Sequence, residues 1–251
     1  MARRTTNRRR RRRRSGFFYK LLTVLVICAA IVAALTMFFK VNTIQITGGS
    51  RYTQQEILDA SGVKDGDNLI LLNKYEIANR LIQKLPYIEG VQINRSLPST
   101  LRIQVTECSS VFAVTQDGTV WMVSSGGKIV ESCTPEQAKG TPTIDGCELL
   151  APSVGSRIAL STDRQSQQTS LLALLKALED ASLIQQVNAI HLDSTAELTM
   201  DYADRFQVVF LYGADYAYKL RNLTAVIGAL ESNQTGTIDL TRNGEAHFLP
   251  D

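Results

Sequence analysis

The side chains that could do chemistry in this 251-residue sequence are few and scattered. Its two histidines, His191 and His247, each fall inside a strand-like pattern, where an isolated imidazole is usually a packed or surface residue rather than a ligand or base. No C-x-x-C, H-E-x-x-H, G-x-S-x-G or phosphate-loop run occurs. Serines are plentiful, but no readable motif sets a base beside one. Asp215 and Asp239 lie near strand ends and Asp201 and Asp204 flank a turn, positions where acids cap helices or solvate loops. Cys108 reads as a small buried residue rather than a nucleophile. Cys133 and Cys147 are free to pair or not, and the pattern is not that of a disulfide-dense domain. We therefore assign no catalytic residue, metal ligand or cofactor, and what remains for the chain to do is bind.

The stretch that must position everything else is Leu21 to Phe39, 19 residues without a charge. As a helix it measures roughly 28 Å, close to the hydrocarbon thickness of a bilayer. Nine arginines between Arg3 and Arg14 precede it, and no acidic residue occurs before Glu56. Positive charge beside a span marks the cytoplasmic side, and it also attracts anionic lipid. Phe17, Phe18 and Tyr19 at one end and Phe38 and Phe39 at the other suit the headgroup level. The run is longer than a signal-peptide core and ends in bulky Met37-Phe38-Phe39, so an uncleaved anchor is expected. From residue 41 onward 16 Lys and Arg face 24 Asp and Glu, a net charge of −8, which argues against nucleic-acid binding. The expected organisation is a basic cytoplasmic tail (1–20), a transmembrane helix (21–39), and two extracytoplasmic units (41–108 and 109–251).

The first unit reads strand, helix, helix, strand, strand. Val41–Thr47 is a strand ending at Gly48-Gly49. Thr53 with Glu56 forms a capping box, and Asn73 with Glu76 offers a second cap. Ile77, Leu81 and Leu85 then line one helical face up to Pro86. Val91 and Ile93 mark the next strand, and Leu101, Ile103 and Val105 alternate in the last. In the second unit Asp117-Gly118 signals a hairpin between 111 and 123. Residues 131–156 look loop-rich. A helix over 166–181 carries Leu171, Leu174, Leu175 and Leu178 on one stripe. Strands at 187–193, 198–200 and 206–212 follow, then a helix over 216–230 with Leu220, Leu223, Ile227 and Leu230 inward, and strands at 236–240 and 245–249 joined by a turn at Asn243-Gly244. The fold class is α+β: an N-terminal transmembrane helix, a small β-α-α-β-β domain, and a second α+β domain on a mostly antiparallel sheet.

These residues carry a resemblance. VNTIQITGG directly after the anchor, KLPYIEGVQI, and NRSLPSTLRIQVTE resemble the POTRA domain of the bacterial FtsQ/DivIB cell division family. The run Phe206–Gly213, Tyr216–Leu230, Gly236–Leu240 and Glu245–Leu249 resembles that family's β domain. The family's usual Glu-Arg-x-Pro is Glu107-Cys108-Ser109-Ser110 here. The resemblance implies a non-enzymatic divisome scaffold at the septum, single-pass type II in the cell membrane, without cofactor. Its implied partners are FtsB/DivIC and FtsL, together with the septal peptidoglycan synthase complex. The implied partner surface is Thr241, Arg242, Glu245, Ala246, His247 and Phe248, on a strand at a sheet edge able to accept another strand. A second implied docking edge is the last POTRA strand, Thr100–Glu107, with the second helix. The runner-up function is a membrane-anchored extracytoplasmic cell-wall enzyme.

Overall fold

The computed structural model describes residues 12–108, 111–242 and 244–251. Arg3 to Arg11 of the basic tail and Asn243 of the expected turn lie outside the described residues. Helix α1 (Arg12–Phe38) begins well before the expected Leu21, since nothing between except Gly16 disfavours helix. Its apolar stretch Phe17–Phe38, 22 residues, is long enough to cross a membrane and is covered by no other described part of the chain. Phe39 departs from the expectation. Instead of ending the span it packs against the core of the first domain, beside the fully buried Val41.

The helix therefore enters the first domain without a linker. The Leu69 N–H donates to the Phe39 carbonyl (2.8 Å), the Val41 N–H to that of Asp67 (2.8 Å), and the Gly66 N–H to that of Val41 (2.9 Å). Strand β1 (Thr43–Thr47) follows, then α2 (Gln54–Ser61) and α3 (Lys74–Lys84), then β2 (Ile88–Ser96) and β3 (Thr100–Glu107). The capping box forms as expected. The Glu56 N–H donates to Thr53 Oγ1 (3.2 Å) and the Thr53 N–H to Glu56 Oε2 (2.8 Å). Asn73 caps α3 through the N–H groups of Tyr75 and Glu76, but Glu76 turns to Arg80 instead of completing a box. The three strands pair in the order β1-β3-β2, with β1 parallel and β2 antiparallel to β3. Leu101, Ile103 and Val105 face the helices and Arg102, Gln104 and Thr106 face water, as their alternation predicts.

The second sheet has nine strands among the described residues. β4 (Val111–Gln116), β5 (Thr119–Ser124) and β6 (Ile129–Cys133) form a meander, with the first turn at Asp117-Gly118. β7 (Thr143–Asp145) is a short central strand inside the segment that reads as loop, where three residues between Pro142 and Gly146 give no periodic signal. Helix α4 (Gln165–Asp180) leads to β8 (Val187–His191), β9 (Glu197–Tyr202) and β10 (Phe206–Leu211). Helix α5 (Tyr216–Ala229), β11 (Gly236–Asp239) and β12 (His247–Pro250) complete it. The order is β12-β11-β10-β9-β8-β7-β4-β5-β6. Pairing is mostly antiparallel; of the three parallel pairs, β4–β7, β7–β8 and β10–β11, the last two are each bridged by a helix, α4 and α5. The register shift between Val187 and Ala189 explains why the apolar alternation over 187–193 changes phase. The leucines of α4 and α5 bury Phe206, Val208 and Phe210 from one face of the sheet.

The two units meet at the start of β6. Lys128, buried, donates from Nζ to the carbonyls of Ile82 (2.6 Å) and Ile88 (3.1 Å), so its charge sits at the last turn of α3. The Tyr87 hydroxyl donates to Glu131, and the Arg51 guanidinium lies 3.7 Å over the Tyr87 ring.

At the end of the first sheet away from α1, the Glu107 carboxylate accepts from the backbone N–H groups of Ser50 (2.8 Å), Arg51 (3.1 Å) and Tyr52 (3.4 Å). Burial acts to raise its pKa, and the three N–H donors outweigh that and hold it below the ordinary value. The stabilisation is therefore fully present above the ordinary value of 4.5 and is lost as pH falls through the depressed one. We predict that Glu107→Gln costs about 1 kcal/mol at neutral pH, at the low end for a partly exposed charged hydrogen bond. The difference from the wild-type chain, measured by urea unfolding, should shrink as the pH is taken below the carboxylate range.

Candidate partner-binding edge

β12 is positioned by what lies under and behind it. β11 starts at Gly236, whose φ is 146°, and a Cβ there would stand 2.2 Å from the Leu249 carbonyl oxygen. Only glycine lets β12 approach at that point. Ahead of it Arg205 clamps the 231–234 loop, donating from Nε to the Gln234 carbonyl (3.1 Å) and from Nη2 to that of Glu231 (2.7 Å). Behind it Lys219 of α5, buried, donates to the Arg242 carbonyl. Phe248 turns inward, edge-on to Phe206 with ring centroids 6.1 Å apart, and Ala246 packs on the same core. These contacts hold a four-residue strand antiparallel to β11, with Ile238 opposite Phe248 and Thr237 opposite Leu249.

The backbone bonds show which groups of β12 are used. The Gly236 N–H donates to Arg205 and the Leu240 N–H to Val209, so even-numbered residues of β11 face β10. The Asp251 N–H donates to Thr235, so odd-numbered residues of β11 face β12, and residues 247, 249 and 251 face back. That leaves the N–H and C=O of Phe248 and the C=O of Pro250 directed away from the sheet. Pro250 has no N–H to offer, a common way of blunting an edge. No described strand lies beyond β12. The opposite edge is different: at Ile129 of β6, main-chain bonds run to Gly155 and Ser156.

The sequence-derived surface is only partly a strand. His247 and Phe248 lie in β12, while Glu245 and Ala246 lead into it and Thr241 and Arg242 belong to the preceding loop. Glu245 reaches His247, Oε2 to Nε2 at 3.2 Å. Asp239, opposite His247, accepts the Thr241 N–H (2.8 Å), which with Arg242 and His247 nearby keeps its pKa below the ordinary value. Phe248 is a support for the strand rather than an outward contact. Leu249, which the sequence reading left out, is 58% exposed on the outer face, and its place in the alternation next to inward Phe248 was the available signal. The implied POTRA edge needs correction: β3 (Thr100–Glu107) is the central strand between β1 and β2, so it is not an edge. His191 stands between Asp145 (3.7 Å) and Asp201 (3.2 Å) on the sheet face opposite the helices. All four cysteines are unbonded, and burial pushes the Cys108 and Cys147 thiols up to about 11, away from thiolate chemistry.

Comparison with known proteins agrees with this architecture. Residues 39–107 match the family described as POTRA domain, FtsQ-type. A cell division protein FtsQ of Geotalea daltonii is 30% identical over 200 residues, covering 78% of this chain and 70% of that protein. The chain belongs to the FtsQ/DivIB family of cell division proteins. An FtsQ of Corynebacterium glutamicum is 26% identical over 59% of this chain and 68% of its own length. A DivIB of Clostridium botulinum is 28% identical over 51% of this chain and 49% of its own. In family terms α2, α3 and β1–β3 form the POTRA unit.

Since Gly236 alone permits the approach of β12, Gly236→Ala should force strain of about 1–3 kcal/mol or release the strand. We expect the amides of His247 and Leu249 to lose protection from hydrogen exchange while those of β9 and β10 keep theirs.

Proposed function

We propose that this chain is a non-enzymatic scaffold of the bacterial divisome, held in the cytoplasmic membrane by α1 with its arginine-rich end inside. Residues 41–108 and 109–251 act as two extracytoplasmic binding modules at the septum. Through β12 the second module binds the small division proteins FtsB/DivIC and FtsL, and so helps assemble or regulate the septal peptidoglycan synthase complex. The observation that carries this reading is the outward-facing N–H and C=O of Phe248, with the C=O of Pro250, on an edge strand with no described neighbour. A partner strand would complete the ladder with backbone bonds and take its specificity from His247, Leu249 and Glu245 on the outer face. The orientation is supported by the absence of acidic residues before Glu56 and the arginines flanking the span.

Leu249→Glu tests the proposal without touching the core. As a substitution at an exposed site it should change stability by less than about 0.5 kcal/mol. Co-purification of the full chain with a DivIC/FtsL-type pair should nevertheless weaken by about tenfold or more, the effect of a lost anchor at an interface centre. Binding at the wild-type level would refute β12 as the contact.

A further inference from the structure

Four large apolar side chains are exposed on the described part of residues 41–107: Ile70, Leu71, Tyr75 and Leu97. They come from separate segments, namely the loop before α3, the first turn of α3, and the β2–β3 turn. All four lie at the end where α1 enters. Asn68 Nδ2 donates to the Thr36 carbonyl (3.4 Å), which lies inside the apolar stretch Phe17–Phe38. The Leu69 N–H donates to the Phe39 carbonyl (2.8 Å), so Ile70 and Leu71 begin at the height of the last turn of the span. The N–H groups of Asn42 and Thr43 both donate to the Ser99 carbonyl, at 2.9 and 3.3 Å, which brings the Leu97 turn to the same level. Arg95, beside that turn, donates to the Leu72 carbonyl and so brings the start of α3, with Tyr75, to that end too. The far end of the domain, closed by Glu107 on residues 50–52, exposes no large apolar side chain.

We propose that this end of the first domain is seated in the bilayer surface, with Ile70, Leu71, Tyr75 and Leu97 in the boundary between headgroups and acyl chains. The occupant is the lipid surrounding the chain's own anchor, because hydrogen bonds to Thr36 and Phe39 fix the loop at the depth where the span ends. Leu71 is 75% and Tyr75 84% exposed, an arrangement that costs free energy in water and gains it at a lipid interface. Lys40, Lys64, Lys74 and Arg95 at this end stand against Asp65, Asp67 and Glu76, so the contact is chiefly apolar and only weakly selective for anionic lipid. Such a seat would restrict tilt of the domain about the end of α1, beyond what the linker-free junction alone imposes.

The inference rests on α1 spanning a membrane, and the test separates the two. In full-length chain carrying Trp121→Phe, which removes the single tryptophan, a new tryptophan is placed by Leu71→Trp, Leu97→Trp, Gln54→Trp or Leu35→Trp. Each variant is reconstituted in phosphatidylcholine–phosphatidylglycerol vesicles, with or without bromine on the acyl chains. We expect bromolipid to quench emission from positions 35, 71 and 97, with blue-shifted spectra at 71 and 97, and to leave position 54 unquenched. Quenching at 35 with none at 71 and 97 overturns the proposal and leaves the anchor standing, the outcome if this face awaits a neighbouring protein. No quenching at 35 removes the anchor and the proposal together. Because 71 and 97 lie on different segments, one variant that fails to fold leaves the other to decide.

Discussion

A sheet made by pairing strands has to stop, and the strand where it stops keeps half its backbone groups unpaired. In the nine-stranded sheet that strand is β12. At the other end of the nine-stranded sheet, β6 is met by the 155–156 loop and by Tyr87 of the first domain. The devices around β12 stabilise the strand without covering its outer side: Phe248 on Phe206, Lys219 on the Arg242 carbonyl, and the absent side chain of Gly236. Pro250 removes one donor from the exposed row and so limits where an added strand could extend. An edge that is held firmly and left open fits a binding role better than a catalytic one. The thiols at Cys108 and Cys147 are pushed toward the neutral form, and His191 lies on an open sheet face between two acids.

The path from α1 to that edge has little slack. α1 passes into the POTRA unit through main-chain bonds between residues 39–41 and 66–69. That unit is tied to the second sheet by buried Lys128, whose pKa is pulled down by its loss of hydration and whose ammonium satisfies two carbonyls of the first unit. Removing one partner from such a buried contact leaves the other unsatisfied, so the junction resists being pulled apart piecemeal. The proposed scaffold role gains from this, because a partner's distance from the bilayer is then set by the fold.

Much of this was legible where the signal is local. The Thr53–Glu56 capping box, the Asp117-Gly118 hairpin, the leucine stripe of α4 and the alternation of β3 all depend on residues within one turn or one strand of each other. What could not be read depends on contacts between distant segments. β7 is three residues long and exists only because β4 and β8 flank it. The central place of β3 follows from the parallel pairing of β1, which no local pattern encodes. Phe39 looks like a lipid-facing aromatic until the core around Val41 is assembled. At the candidate edge the resemblance pointed to the stretch 241–248, but which side chains face outward awaited the register with β11, which turns Phe248 inward and leaves Leu249 as the exposed apolar side chain.

The most direct test is residue-resolved hydrogen exchange on β12, free and bound to an FtsB/FtsL-type pair. Strand addition predicts that the amide of Phe248 exchanges readily in the free chain and becomes protected on binding, while those of His247 and Leu249 are protected in both states. Tight binding that leaves Phe248 exchanging as before would contradict the account.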